Sequence, residues 1–163
     1  MAVMTMRSPT SWLEKIKSAF PELEFAAGDN FAWLPKQKTV VHPANLDSND
    51  DKAQLLHEIS HGLLDHQDYS RDIGLIDMER QAWEYAVDNL APKFEVNLSM
   101  DDDIVQDSLD TYRQWLYKRS LCPDCQAVGL EQKPQNYRCL NCSANWRVND
   151  ARTCQLKRYK KPR

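Results

Sequence analysis

Histidine runs out early in this chain. His42, His57, His61 and His66 are the only four, and nothing after His66 can supply an imidazole. That disfavours any metal site completed by a distant downstream histidine. Long apolar runs are missing too, and none approaches the roughly 20 residues that cross a bilayer. Met1 to Trp12 lacks the apolar stretch of a secretory leader. These absences argue for a cytoplasmic protein with no membrane partner. In that compartment thiols stay reduced, so the five cysteines point to metal ligation ahead of disulfides. There is no internal repeat. At 163 residues the chain can hold one good core plus a small appendage. Its 42% hydrophobic and 28% charged residues are ordinary for a globular protein.

The net charge of -3 hides an asymmetry. From Arg147 to Arg163 the cations are Arg147, Arg152, Lys157, Arg158, Lys160, Lys161 and Arg163, against one acid, Asp150. The acidic excess therefore lies in the body and the tail is basic.

Periodicity divides the chain into elements. Ser11 to Phe20 reads as an amphipathic helix capped by Ser11, with Pro21 ending it. Leu23–Phe25, Phe31–Leu34 and Thr39–His42 read as strands separated by turn residues. A polar loop, Pro43 to Asp51, leads into a helix with Ser48 or Asn49 as its cap. A third helix is expected from Asp72 to Leu90, before Pro92, and a fourth from Asp101 to Arg119. From Leu121 the texture changes to Cys, Pro, Gly and Asn, which marks a separate unit. The expected architecture is α+β: helices packed on a short sheet, followed by a small metal-bound module. The expected boundaries are 1–119 for the first domain, 120–148 for the cysteine module and 149–163 for the basic tail.

The second helix carries His57-Glu58-Ile59-Ser60-His61. Histidines four apart share one helix face, so both imidazoles can reach one Zn²⁺. Glu58 sits one residue along, able to act on a metal-bound water as general base without sharing the metal with them. Leu55, Leu56, Ile59 and Leu63 recur at helical spacing and would bury one side. His66 is five residues beyond His61, about 140° around a continuous helix. It can approach the ligand face only if the chain turns sharply after Gly62.

A catalytic zinc needs three protein ligands and an open position. With histidine exhausted, acids on the third helix are the candidates. Its apolar stripe reads Ile73, Ile76, Trp83, Ala86, Val87 and Leu90, and Glu79 falls on it. A carboxylate aimed into a core is costly unless paired or metal-bound. Glu79 is therefore the expected third ligand, with pairing to a neighbour such as Arg80 or a place at the core's rim as the alternatives and Glu84 as the second candidate ligand. Glu84 falls on the wet face with Asp77, Gln81 and Asp88.

The stretch His57-Glu58-Ile59-Ser60-His61-Gly62, followed by Glu79-Arg80-Gln81-Ala82, then Tyr85-Ala86 and Leu90, resembles the ImmA/IrrE group of gluzincin metallopeptidases. The resemblance spans roughly Thr39 to Pro92. It implies His57, His61 and Glu79 as zinc ligands, Glu58 as general base, and hydrolysis of a protein substrate such as a transcriptional regulator. Trp83 and Asn89-Leu90 depart from the group's pattern, where a small polar residue and a leucine pair are usual. Tyr69, Tyr85 or His42 could donate to the oxyanion, and the strands Phe31–Leu34 or Thr39–His42 could receive a peptide as an added strand.

Cys122-Pro123-Asp124-Cys125 and Cys139-Leu140-Asn141-Cys142 form two CxxC knuckles. Their spacing matches a zinc ribbon with a closed tetrathiolate site, whose metal would supply folding energy to so small a unit. Two zinc ions per chain are thus expected, one catalytic and one structural, with Cys154 left over. The basic run Lys157, Arg158, Lys160 and Lys161 either neutralises phosphates of a nucleic acid or is a solvated tail. The order of hydrolase, ribbon and basic tail is similar in layout to SprT-like proteases, which act on DNA-bound proteins. The alternative to an enzyme is a ribbon-based adaptor for nucleic acid or protein whose HExxH domain is structural.

Overall fold

The computed structural model describes residues 10–152 and 154–162. Residues 1–9, read above for a leader, and Arg163 of the basic run lie outside them. Among the described residues the fold is α+β, with four α-helices and two small sheets of three and four strands. Its contacts divide it into two units.

Among the described residues, the first unit comprises 10–66 and 84–98. Helix α1 (Trp12–Ala19) starts at a capping box, in which Ser11 and Glu14 satisfy each other's backbone amides. Strands β1 (Glu24–Ala27), β2 (Ala32–Leu34) and β3 (Thr39–His42) form a sheet in the order β1-β3-β2. β2 and β3 are an antiparallel hairpin, and β1 joins β3 in parallel. β3 is therefore the central strand and cannot take an added peptide; β2 is an edge.

Helix α2 (Asn49–Leu63) packs on β2 and β3. Ser48 is its cap: the hydroxyl accepts from Asp51 N at 3.0 Å, and Asp51 Oδ2 accepts from Ser48 N at 3.1 Å. The Ser48 hydroxyl also donates to Asp51 Oδ2 at 2.7 Å, which holds that carboxyl below the usual carboxylate range. Every residue from Leu55 to His61 is buried, so the middle of α2 is enclosed all round rather than on one side. Gly62 lets α2 sit close to its neighbours. A Cβ there would lie 3.1 Å from both Leu23 Cδ2 and Trp33 Cζ3.

The expected third helix reaches Leu90, but its last turn is not α-helical. α3 runs Asp72–Tyr85, and Ala86–Leu90 follow as a π-helical turn closed by Ala91 N to Ala86 O at 2.8 Å. Pro92 has no amide to extend it.

The second unit comprises residues 67–83 and 99–162. It includes more chain than the cysteine module expected at 120–148. Helix α4 (Asp103–Ser120) and strands β4 (Gly129–Lys133), β5 (Asn136–Cys139), β6 (Asn145–Val148) and β7 (Arg158–Lys160) belong to it. The strands form an antiparallel meander in sequence order. Gly129 allows its closest approach, because a Cβ there would meet Trp146 Cη2 at 2.4 Å and Arg138 O at 2.8 Å. α3 is fixed to α4 by Trp83 Nε1, which donates to Ser108 Oγ at 3.2 Å. A buried ion pair, Arg119 with Asp72, links the same helices. Removing one member of such a pair costs about 3–5 kcal/mol, because the other charge is stranded.

Candidate metal centres

His57 and His61 present their rings to each other edge to face, and their Nε2 atoms are 3.2 Å apart. Two imidazoles on one tetrahedral zinc, each about 2.0–2.1 Å from it, hold their nitrogens about 3.3 Å from one another. The pair thus has the separation that a shared ion imposes. Both rings are buried. Glu79 on α3 is also buried, at 5% exposure, as expected for a carboxylate on the inner face. His57, His61 and Glu79 each offer a ligand atom, and the three atoms lie within 4.8 Å of one another. This donor set of two nitrogens and one carboxylate oxygen fits a divalent metal with an open position. Glu58 is buried beside His57, and its Oε1 accepts from Gln54 Nε2 at 3.3 Å.

His66 is where the local pattern missed a partner. Its side chain is buried, and its Nδ1 is 2.9 Å from His61 Nδ1. The sharp turn required after Gly62 is present. Asp65 takes a left-handed φ of 51°, and His66 N closes back on His61 O at 2.9 Å. Trp33 Nε1 then donates to His66 O at 2.9 Å and holds the turn against β2. A neutral His61 that carries its proton on Nδ1 would donate it to His66 Nδ1. That tautomer leaves the Nε2 lone pair for a metal.

The buried face of this helical run keeps Trp83, Ala86 and Leu90 of the expected stripe but leaves Ile76 and Val87 half-buried. Asp72, Leu75, Glu79, Ala82 and Trp83 are buried, whereas Ile73 is 54% exposed. Of the three oxyanion candidates, Tyr69 donates to Asp150 Oδ1 at 3.5 Å. His42 is buried and its Nδ1 donates to Pro43 O at 2.7 Å. Neutral His42 therefore has an acceptor, not a donor, at Nε2.

The four knuckle cysteines form the second centre. Cys122 and Cys142 sulfurs are 3.6 Å apart, and those of Cys125 and Cys139 are 3.5 Å apart. Each knuckle directs amides at sulfur: Asp124 N donates to Cys122 Sγ and Cys142 N to Cys139 Sγ, both at 3.4 Å. The residue after each knuckle, Gln126 and Ser143, has a positive φ that turns the chain back into the sheet. The Asn141 amide beside Cys125 lowers its thiol to about 6. Donors aimed at sulfur favour the thiolate, the form that binds metal. Cys122 and Cys139 share a buried cluster with Tyr137, Ala144, Trp146 and Val148. Cys154 is exposed and accepts from Asn149 Nδ2 at 3.4 Å.

The basic run forms part of the ribbon sheet. Arg158 to Lys160 are β7, paired with β6. Lys160 Nζ pairs with Asp124 at 2.7 Å, Lys161 Nζ donates to Asn136 Oδ1 at 2.5 Å, and Arg158 Nη1 donates to Leu121 O at 3.0 Å. Lys157 is exposed, and its backbone N donates to Asn149 Oδ1 at 2.7 Å. Among the described residues no helix is long and apolar enough to cross a membrane.

No family model, no curated protein and no solved structure matches this chain.

Proposed function

We propose that the chain is a zinc-dependent peptidase of the HExxH-plus-glutamate type, acting on a protein substrate in the cytoplasm. The observation that carries this reading is the gathering of ligand atoms from three buried residues, His57, His61 and Glu79, within 4.8 Å, with Glu58, itself buried, the residue after His57. Zinc bound there would lower the pKa of a coordinated water towards about 7 and polarise the scissile carbonyl.

The chain's own residues do the rest. Glu58 accepts the proton of the attacking water and passes it to the leaving amine. The Gln54 amide steadies one oxygen of that carboxylate. Its burial keeps competing water away from the proton path. His66 fixes the tautomer of His61. Its replacement by alanine is expected to weaken zinc binding at this centre about 10–100-fold, measured by competition with a chromophoric chelator. An unchanged affinity would remove that role. The outer edge of β2 is the available place for an extended peptide to add as a strand.

The second zinc belongs to Cys122, Cys125, Cys139 and Cys142. The ribbon also favours one partner. Arg138 and Arg147 are exposed, and the Arg147 guanidinium lies over the Tyr159 ring at 4.6 Å. A basic sheet face with an aromatic suits a nucleic acid, consistent with a nucleic-acid-bound substrate. An adaptor without hydrolysis is the competing reading, and Glu58 speaks against it, because a purely structural metal site needs no base.

The test is incubation of the zinc-loaded protein with peptides from a digested proteome, reading new termini by mass spectrometry. The expected result is cleavage that 1,10-phenanthroline abolishes and added Zn²⁺ restores. No new termini from fully loaded protein would overturn the peptidase reading and favour the adaptor.

A further inference from the structure

We propose that Tyr137, Asp72 and Arg119 are positioning residues for Glu79, so that the cysteine module serves as a brace for the helix bearing that ligand. The inference rests on Glu79 being a ligand, as proposed above.

Asp72 is the first residue of α3, and its carboxylate is almost wholly buried. Arg119, from the last turn of α4, grips it with two nitrogens: Nε to Oδ2 at 2.7 Å and Nη2 to Oδ1 at 3.3 Å. The Tyr137 hydroxyl, from β5, donates to the same Oδ2. A planar, two-point grip fixes orientation as well as position. Burial, and then the Asp72 carboxylate, push the Tyr137 hydroxyl above its ordinary range, so it remains a donor. The first amide of α3 is capped from the ribbon as well. Asp72 N donates to Glu131 Oε2 at 2.7 Å, and Glu131 Oε1 takes Gln135 N at 2.7 Å.

Arg119 is itself held on every side. Its Nη1 donates to Asp150 O at 2.7 Å and also to Asn149 O, its guanidinium lies 4.3 Å from the Trp115 ring centroid, and its carbonyl accepts from Trp146 Nε1 at 3.1 Å. Trp146 stacks on Tyr137 with centroids 5.6 Å apart and planes 14° apart. Both rings sit in the cluster that contains Cys122 and Cys139.

The chain of contacts is short. Cys139 and Tyr137 lie two apart on β5, which puts both side chains on the same sheet face. Tyr137 fixes Asp72, and Asp72 and Glu79 are seven apart on α3, two turns along one face. Helices are stiff over two turns, so a rotation at Asp72 reaches Glu79. A module that merely delivered the enzyme to a partner would need none of these bonds.

The test is a double-mutant cycle on the full chain. Co²⁺ binding is followed optically, since the tetrathiolate centre gives sulfur-to-metal charge-transfer bands and the histidine-glutamate centre does not. Tyr137→Phe keeps the ring stack and removes only the hydroxyl. Its expected effect is about a tenfold loss of Co²⁺ affinity at the histidine-glutamate centre, in the range for an outer-shell partner, with the thiolate bands unchanged. In a Glu79→Ala background the same change should cost nothing further.

Three results would overturn the inference. One is full affinity in Tyr137→Phe while Glu79→Ala binds weakly. The second is an equal loss in both backgrounds, meaning the hydroxyl acts by another route. The third is unchanged affinity in Glu79→Ala, which would remove the ligand reading and this inference with it. Should Tyr137→Phe fail to fold, Glu131→Gln loosens the same end of α3 and is judged by the same outcomes.

Discussion

Replacing Glu58 with glutamine is expected to lower peptide hydrolysis by about 10²–10⁴-fold, the usual contribution of a positioned general base, while both metal centres stay loaded. Glutamine has nearly the shape of glutamate, so α2 should keep its packing around the buried position. Gln54 can still pair with the new side chain's carbonyl oxygen. What is lost is the capacity to take a proton from water and return it to the leaving amine. The measurement is the cleavage rate of a defined peptide substrate beside metal content in the same preparation. A variant that cuts at the wild-type rate would remove Glu58 from the chemistry. The inactive, loaded protein would also be suited to retaining its substrates.

Glu79→Ala should weaken zinc binding at the histidine pair by more than about 100-fold, beyond what loss of an outer-shell partner costs. Glu84→Ala should leave it within about twofold, too small to be a coordinating bond at RT ≈ 0.6 kcal/mol. The contrast rests on burial. Glu79 is 5% exposed and offers an oxygen within 4.8 Å of both histidine ligand atoms, while Glu84 belongs to no such cluster among the described residues. Chelator competition on the two variants measures the difference directly. The reverse order would show that the ligand face of the third helix was wrongly assigned.

The local parts of both centres were legible in the sequence because their geometry is local. His57 and His61 four apart on a helix, and cysteines paired as CxxC, need only short-range backbone rules to converge. Glu79 was legible for a different reason: a carboxylate among apolar positions requires a partner. The same logic failed for the start of that helix. Ile73 reads as core yet is 54% exposed, and Asp72 beside it is buried, its charge compensated by Arg119, 47 residues away. No local pattern announces a pairing at that distance.

For His66 the sequence states only a condition, a sharp turn after Gly62, and α2 does end at Leu63. The positive φ at Asp65, a residue other than glycine, reverses the chain, and no turn signal marks it. The basic run was read as a tail because charge dominates its composition. Residues 158–160 instead pair with β6 as a strand, and Asp124 and Asn136 take up Lys160 and Lys161. The helical run expected to reach Leu90 does so, but its last turn, from Ala86, is π-helical, a change that no sequence signal marks.

The central claim is that this small chain holds a hydrolytic metal centre distinct from its ribbon metal. Counting metal per chain by inductively coupled plasma mass spectrometry tests it most directly. The account predicts two zinc ions in the wild type, one in His57→Ala and one in Cys122→Ser, with the remaining ion differing between the two variants. A single zinc in the wild type, lost in Cys122→Ser and unaffected by His57→Ala, would contradict it.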